Sequence, residues 1–269
     1  RTPSGAPAGS STGGKENASS AHRKTDPMDA RDTHRRILAA VLTYNEGDRL
    51  MQLAARFPRE RRYDVLFVDD GSTDGSADYL VKAGFPVIRH GENRGVGAGI
   101  RSAVRYCREH GYDVLVIMAG NGKMQPEEIP RLIDPILSGR ADYVQGSRYL
   151  LGGDSPNLPL GRHLGIKAFT LATSLLLGKR HSDITCGFRA YRLAVVDDPE
   201  INIEQDWLGR YEMEYYLHWK AVKRGWRVVE APVSMVYPES GRDYSKIRPL
   251  VGWWSMIRPW IYLTLRLKR

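Results

Sequence analysis

A chain of 269 residues, 42% hydrophobic and with two cysteines, Cys107 and Cys186, can bury one sizeable core, and it holds neither a disulfide framework nor a metal-binding Cys/His spacing. Its net charge of +9 divides unevenly: residues 1–36 carry seven Lys/Arg against four Asp/Glu, residues 241–269 carry seven against one, and the body between them holds 26 of each sign. A neutral body with basic ends argues against a nucleic-acid binder whose core surface is the footprint and suits a C-terminal end that meets an anionic surface, while the cysteine usage sets a reducing, cytoplasmic compartment as the expectation.

Residues 1–34 are rich in Ser, Gly, Ala, Pro and Thr and almost devoid of large apolar side chains, so they are read as a disordered leader, without the apolar stretch of a secretory signal. From Ile37 the runs ILAAVLTY, DVLFVDD, PVIRH and DVLVIMAG predict strands, separated by helices near residues 47–57, 74–83 and 97–110. Continuous apolar runs alternating with helices indicate mostly parallel strands covered on both faces, an α/β doubly wound sheet. PEEIPRLIDPILSG opens with Pro and two Glu, the chemistry of a helix N-terminus. ADYVQGSRY follows as a strand, residues 161–178 as a helix, DITCGFRAYR as a loop and strand, and EMEYYLHWKAVKRG as a helix stopped by Gly225. WRVVEAPVSMVY is a strand that Pro232 confines to an edge or a bulge.

The loops after these strands hold the chemistry. Thr43-Tyr44-Asn45-Glu46 lacks the GxGxxG turn that a dinucleotide needs, which argues against a Rossmann dehydrogenase; the plain alternative is a helix start capped by Asn45. In VDDGSTDGS, the adjacent carboxylates Asp69 and Asp70 can accept hydrogen bonds from a base edge and from ribose hydroxyls, or Asp70 and Ser72 can form an Asx turn and cap the next helix. GENRGVGAGIRSA spaces three glycines by two into a helix, an arrangement that turns backbone N–H groups toward an anion. VIMAGNGKMQP runs from a strand into Ala119-Gly120-Asn121-Gly122-Lys123, a turn whose tip has no carboxylate.

In this order, TYNE, DDGSTDGS, HGENRGVGAGIRSA, the GNG turn, GSRYLLGG and DITCGFRAYR resemble the family 2 glycosyltransferases of the GT-A fold, and most of all the polyprenyl- and dolichyl-phosphate glycosyltransferase branch, over roughly residues 37–248. The resemblance implies a single GT-A domain over residues 35–248, followed by an amphipathic, aromatic and basic segment at 249–269. It implies a nucleotide pocket lined by Thr43, Tyr44 and Glu46, a base and ribose held by Asp69 or Asp70, and a turn from Asn93, Arg94 and Gly95 that packs beside the donor. The family's Asp-X-Asp element, which engages a divalent cation (Mg or Mn) on the donor diphosphate, falls on Ala119-Gly120-Asn121. Both acidic positions are lost, and hard cations favour charged oxygen donors. Three readings follow: a weakened cation site using Asn121, positive charge supplied by Lys123 in its place, or an inactive relative.

On the acceptor side the resemblance gathers Arg148 of GSRYLLGG, Arg162 and Lys167 of PLGRHLGIKAF, and Arg242, Ser245, Lys246 and Arg248 of GRDYSKIR around the phosphate of a polyprenyl acceptor. Here Asp243 and Tyr244 interrupt a motif that is often contiguous in the family. A phosphate acceptor is already ionised, whereas a hydroxyl acceptor needs a base, for which Asp206, Glu212, Glu214 and His218 are available; the plain alternative is a solvated helix face. The tail LVGWWSMIRPWIYLTLRLKR is broken by Arg258-Pro259 and is too short of uninterrupted apolar residues to span a membrane. Its Trp253, Trp254, Trp260 and Tyr262 among cations suit a membrane interface; otherwise it packs on its own domain or in a homodimer. The expected activity is inverting transfer of a hexose from a UDP or GDP sugar to polyprenyl phosphate by a peripheral membrane protein at the cytoplasmic face. Two alternatives stand beside it: a soluble small-molecule acceptor, or a non-catalytic nucleotide-sugar-binding relative.

Overall fold

The computed structural model describes residues 35–239 and 251–268. The leader at 1–34, and Arg242, Ser245, Lys246 and Arg248 of the acceptor motif, lie outside the described residues. Seven strands form one sheet: β1 (Ile37–Thr43), β2 (Asp64–Asp69), β3 (Val87–Arg89), β4 (Val114–Ala119), β5 (Tyr143–Ser147), β6 (Arg189–Arg192) and β7 (Val228–Pro232). The spatial order is β3-β2-β1-β4-β6-β5-β7, and only β6 runs antiparallel to its neighbours. Pro232 ends the edge strand β7, where its missing N–H breaks no ladder.

Helices cover both faces: α1 (Asp48–Ala55), α2 (Ser76–Lys82), α3 (Val96–His110), α4 (Ile129–Leu137), α5 (Leu160–Leu177), α6 (Leu193–Val196), α7 (Glu212–Lys223) and α8 (Val251–Thr264). Strand residues alternate between two cores, as the two-residue repeat of a pleated strand requires. Leu38, Ala40, Leu66, Val68, Leu115 and Ile117 pack on the side of α3, α7 and α8. Ile37, Ala39, Val41, Val65, Phe67, Val116 and Met118 pack on the side of α1 and α4. Both faces of the central strands are dry, which is why these strands read as unbroken apolar runs.

The chain leaves β1 toward β2 and β3, then returns through α3 to β4 on the other side of β1. The crevice between the carboxyl ends of β1 and β4 is therefore the topological switch point, where open α/β sheets seat ligands. The tail does not break at Pro259, because α8 runs through it. Pro259 and Trp260 are buried, and the Trp260 ring meets Phe169, Tyr215 and Trp219 at 6.1, 5.8 and 5.7 Å. That aromatic burial offsets the main-chain bond a helical proline forfeits. The outer face of α8 presents Trp253, Trp254, Ile257 and Ile261 to solvent.

Candidate active site

The first two loops are stitched together. Asn45 stands at φ 48°, a left-handed conformation that Asn tolerates. It donates its N–H to Ser72 Oγ (2.9 Å) and accepts the Thr73 N–H on Oδ1 (2.8 Å). It does not cap α1: the residue before that helix is Gly47, whose N–H donates to Asp74 Oδ2 at 2.8 Å. Burial alone would raise the Asp74 carboxyl, but hydrogen bonds from the Ser76 side chain and backbone and from Gly47 outweigh it and hold the pKa below the ordinary value.

Asp69 and Asp70 have separate tasks. Asp69 closes an Asx turn, accepting the Ser72 N–H at 3.2 Å and the Ser72 hydroxyl. Asp70 accepts the N–H groups of Arg94 (2.9 Å) and Gly95 (2.7 Å) and bonds His90 Nδ1 at 2.7 Å. Asp70 therefore ties the end of β2 to the turn that leads into α3. The glycines are there for close packing: a Cβ at Gly97 would lie 1.9 Å from the Leu208 carbonyl oxygen, and the Gly97 N–H donates to Gly209 O at 3.0 Å. Asn93 is exposed at the rim.

Across the crevice the Gly120 N–H donates to Leu42 O at 2.7 Å, and a Cβ at Gly120 would sit 3.0 Å from Thr43 Cβ, so the turn after β4 lies on the end of β1. Thr43 is 3% exposed with an Oγ1 that has no hydrogen-bond partner, and forms the floor. Tyr44, Glu46 and Asn121 are half-buried around it. Asn121 Oδ1 accepts the Lys123 N–H at 3.2 Å. That amide is the one side-chain oxygen of the Ala119–Lys123 stretch, and among the described residues no three His, Cys, Asp or Glu gather as metal ligands. The residues present do not fit a cation held by protein carboxylates. The charge at this turn is Lys123, buried, with Nζ 5.6 Å from the Tyr237 ring centroid.

The acceptor residues separate into two kinds. Arg162, on α5, places its guanidinium carbon 5.6 Å from the same Tyr237 ring, and Lys167 Nζ lies 3.5 Å from the Tyr149 ring. Arg148 does not reach for a phosphate. Its Nε and Nη2 grip Asp183 at 2.6 and 2.8 Å, Nη1 donates to the Tyr237 hydroxyl at 2.6 Å, and Nη2 also donates to Thr185 Oγ1 at 2.5 Å. The sequence could not reveal Asp183 as its partner, since 35 residues separate them.

The four carboxylate and histidine candidates for a base also separate. Glu212 is wholly buried and paired with Arg258 of α8 at 2.5 Å. His218 is buried with its Nε2 3.0 Å from His181 Nε2, and burial pushes its pKa well below the ordinary value. Asp206 is exposed on a loop. Glu214 is largely buried beside Arg189, and burial raises its pKa against the opposing charge of that arginine. Beside it the Tyr211 phenol, raised chiefly by burial, feels the charges of Glu214, Arg210, Arg162 and Glu46.

This architecture has known counterparts. The chain is 35% identical over 223 residues to polyprenol monophosphomannose synthase of Mycolicibacterium smegmatis, covering 80% of this chain and 83% of that protein. It is 33% identical over 217 residues to undecaprenyl-phosphate mannosyltransferase of Micrococcus luteus, covering 77% and 86%. Among solved structures, glucosyl-3-phosphoglycerate synthase of Mycobacterium tuberculosis, in complex with Mn2+, UDP and phosphoglyceric acid, shares the fold with a TM-score of 0.61 at 16% identity, over 86% of this chain and 77% of that one. Residues 39–198, which run from β1 through the stitched loops and the Lys123 turn to the strand beyond Asp183, match the family described as Glycosyl transferase family 2, and the chain belongs to it.

Proposed function

We propose that this protein transfers a hexose, with inversion, from a UDP or GDP sugar to a polyprenyl phosphate at the cytoplasmic face of a membrane. The observation that carries this reading is the convergence of Lys123 from the donor turn and Arg162 from α5 on the ring of Tyr237. Two phosphate groups must approach one anomeric carbon in such a reaction, and two cations near one ring suit the charge they bring. The relatives named as mannosyltransferases of polyprenol and undecaprenyl phosphate support the same acceptor chemistry.

In this mechanism an ionised acceptor phosphate oxygen attacks the anomeric carbon from the face opposite the nucleotide. The bond from that carbon to the diphosphate oxygen breaks, and its electron pair leaves on the diphosphate. Lys123 balances the charge that develops there, and Arg162 and Lys167 hold the incoming phosphate. An acceptor of this kind needs no general base, which agrees with the internal pairing of Glu212 and His218. A lipid acceptor also suits the apolar surface of α5, where Leu160, Leu164, Leu171 and Leu175 are exposed, next to the outer face of α8. Among the described residues no helix is long and apolar enough to cross a membrane, so contact with lipid falls to these surfaces.

The test is incubation of the full chain with UDP and GDP sugars and a short-chain polyprenyl phosphate, with product lipid read by mass spectrometry. Formation of a glycosylated polyprenyl phosphate is expected. Hydrolysis alone, or transfer only to a soluble phosphorylated acceptor, would overturn the lipid reading.

A further inference from the structure

We propose that Tyr149 is a positioning residue, whose ring face holds the Lys167 ammonium in place for the acceptor phosphate; this rests on the reading that the acceptor is a polyprenyl phosphate. Lys167 belongs to the outer surface of α5, one helical turn from both Leu164 and Leu171 in a stripe of exposed leucines. A lysine set among leucines on an exposed helix face ordinarily stretches its charge away toward water. Here Nζ lies instead 3.5 Å from the centroid of the Tyr149 ring, well inside the distance of about 6 Å at which a cation feels a ring face. Among the described residues no carboxylate pairs with Lys167, and the residue remains exposed. Its charge is therefore held in place without being neutralised, the state in which a cation can receive a phosphate.

The ring itself is fixed. The Tyr149 N–H donates to Ser147 Oγ at 3.1 Å, and the His163 ring, one turn before Lys167 on α5, meets the Tyr149 ring in a T-shaped contact at 5.2 Å. The preceding residue, Arg148, is locked on Asp183; its guanidinium carbon lies 5.7 Å from the Tyr149 centroid, and its Nη1 donates to the Tyr237 hydroxyl at 2.6 Å. Arg148 thus braces two aromatic platforms, Tyr237 with Lys123 and Arg162 at its ring and Tyr149 with Lys167. Through it Lys167 joins the cations that the transfer mechanism uses. The Tyr149 hydroxyl adds nothing to this arrangement: it is buried without a hydrogen-bond partner among the described residues, and burial raises its pKa, so it stays a neutral phenol. What the residue offers is the negative face of its ring, which a phenylalanine would offer equally and an aliphatic side chain would not.

Two readouts on the full chain test this, one of them without substrate. Acetylation by an N-hydroxysuccinimide ester, followed by peptide mass spectrometry, reports how firmly the Lys167 ammonium is held, since a cation on a ring face is both shielded and kept protonated. Tyr149→Leu is expected to raise the labelling rate at Lys167 about three- to thirtyfold, the scale of one cation–π contact, and Tyr149→Phe to leave it within about twofold of wild type. In steady-state transfer to a short-chain polyprenyl phosphate, KM for that acceptor should rise by a similar factor in Tyr149→Leu and return to the wild-type value in Tyr149→Phe, with kcat and the donor KM unchanged within about twofold. Equal labelling of Lys167 in all three chains, or an acceptor KM that Tyr149→Leu leaves alone, overturns the proposal and leaves the transferase reading standing. A wild-type chain that transfers to no polyprenyl phosphate sinks both. Should Tyr149→Leu lose its circular-dichroism melting transition, pentafluorophenylalanine in place of Tyr149 decides, because it keeps the shape of the ring and reverses its charge distribution. Labelling and acceptor KM must then both rise, and values equal to those of Tyr149→Phe overturn the proposal.

Discussion

The Lys123 ammonium and the Arg162 guanidinium carbon lie at the same distance, 5.6 Å, from the centroid of the Tyr237 ring. Lys123 comes from the turn after β4 and Arg162 from the first turn of α5. Tyr237, 2% exposed, is fixed by the Arg148 bond to its hydroxyl. Cation–π attraction partly compensates the burial of Lys123.

If Lys123 carries the charge of the leaving diphosphate, Lys123→Ala lowers kcat about a hundredfold or more, the scale of removing one transition-state stabiliser. Steady-state transfer with and without a chelator checks this. Activity that chelator abolishes and Lys123→Ala leaves intact would refute the role.

Arg148 and Arg162, close in sequence and alike in chemistry, should respond in opposite ways. Arg148→Ala leaves Asp183 buried without its partner and costs about 3–5 kcal/mol in urea unfolding. Arg162→Ala, half-buried and not part of that pair, changes stability by less than about 1 kcal/mol and raises KM for the phosphate acceptor at least about tenfold. A stable Arg148→Ala would contradict the pairing described above.

The histidine pair predicts an acid-sensitive fold. His181 Nδ1 donates to Lys179 O at 2.9 Å, so its Nε2 is bare and accepts the proton of His218 Nε2 at 3.0 Å. A proton added to His181 would set N–H against N–H. Burial lowers both pKa values below the ordinary 6.5, with Lys179 and Arg189 adding to it and Glu230 opposing it at His181. Both groups are lowered, so the unfolded chain binds more protons in this range; stability is full above about pH 6.5 and declines as pH falls toward the folded values. Asp74, Asp142 and Asp198 are lowered from an ordinary 3.8 and act only at more acidic pH. The urea midpoint should therefore drop between about pH 7 and pH 5, and His218→Leu should flatten that slope. A midpoint constant across the window in the wild type would remove the basis for the neutral pair.

The outer face of α8 should decide membrane association. Trp253 and Trp254 are 58% and 48% exposed, whereas Trp260 of the same helix is 3% exposed. Trp253→Ala with Trp254→Ala is expected to weaken sedimentation with anionic phosphatidylglycerol vesicles several-fold without moving Tm by more than about 2 °C. Trp260→Ala should instead destabilise by about 3–5 kcal/mol. Unchanged vesicle binding in the double variant would assign lipid contact elsewhere.

By itself the sequence determined the order of strands and helices, the two-faced burial of β1, β2 and β4, and the position of the donor loops at strand ends. These follow from local periodicity and from glycines that mark turns, so short windows of sequence contain them. It also located the turn without carboxylates, because a missing charge is legible wherever its neighbours fix the register. Tertiary structure alone decided which charges pair with which. Arg148 reads like Arg162 in sequence, yet Asp183 takes it up; Asp69 and Asp70 are adjacent, yet one bonds Ser72 and the other His90 and the turn before α3; Glu214 and His218 share a helix with a spacing of four, yet one lies near Arg189 and the other against a buried histidine. Most of these outcomes depend on a partner that the fold supplies from a distant part of the chain, 35 residues away for Arg148 and 37 for His218. A hydrogen bond is fixed by proximity in space, and the local pattern of a sequence encodes only proximity along the chain.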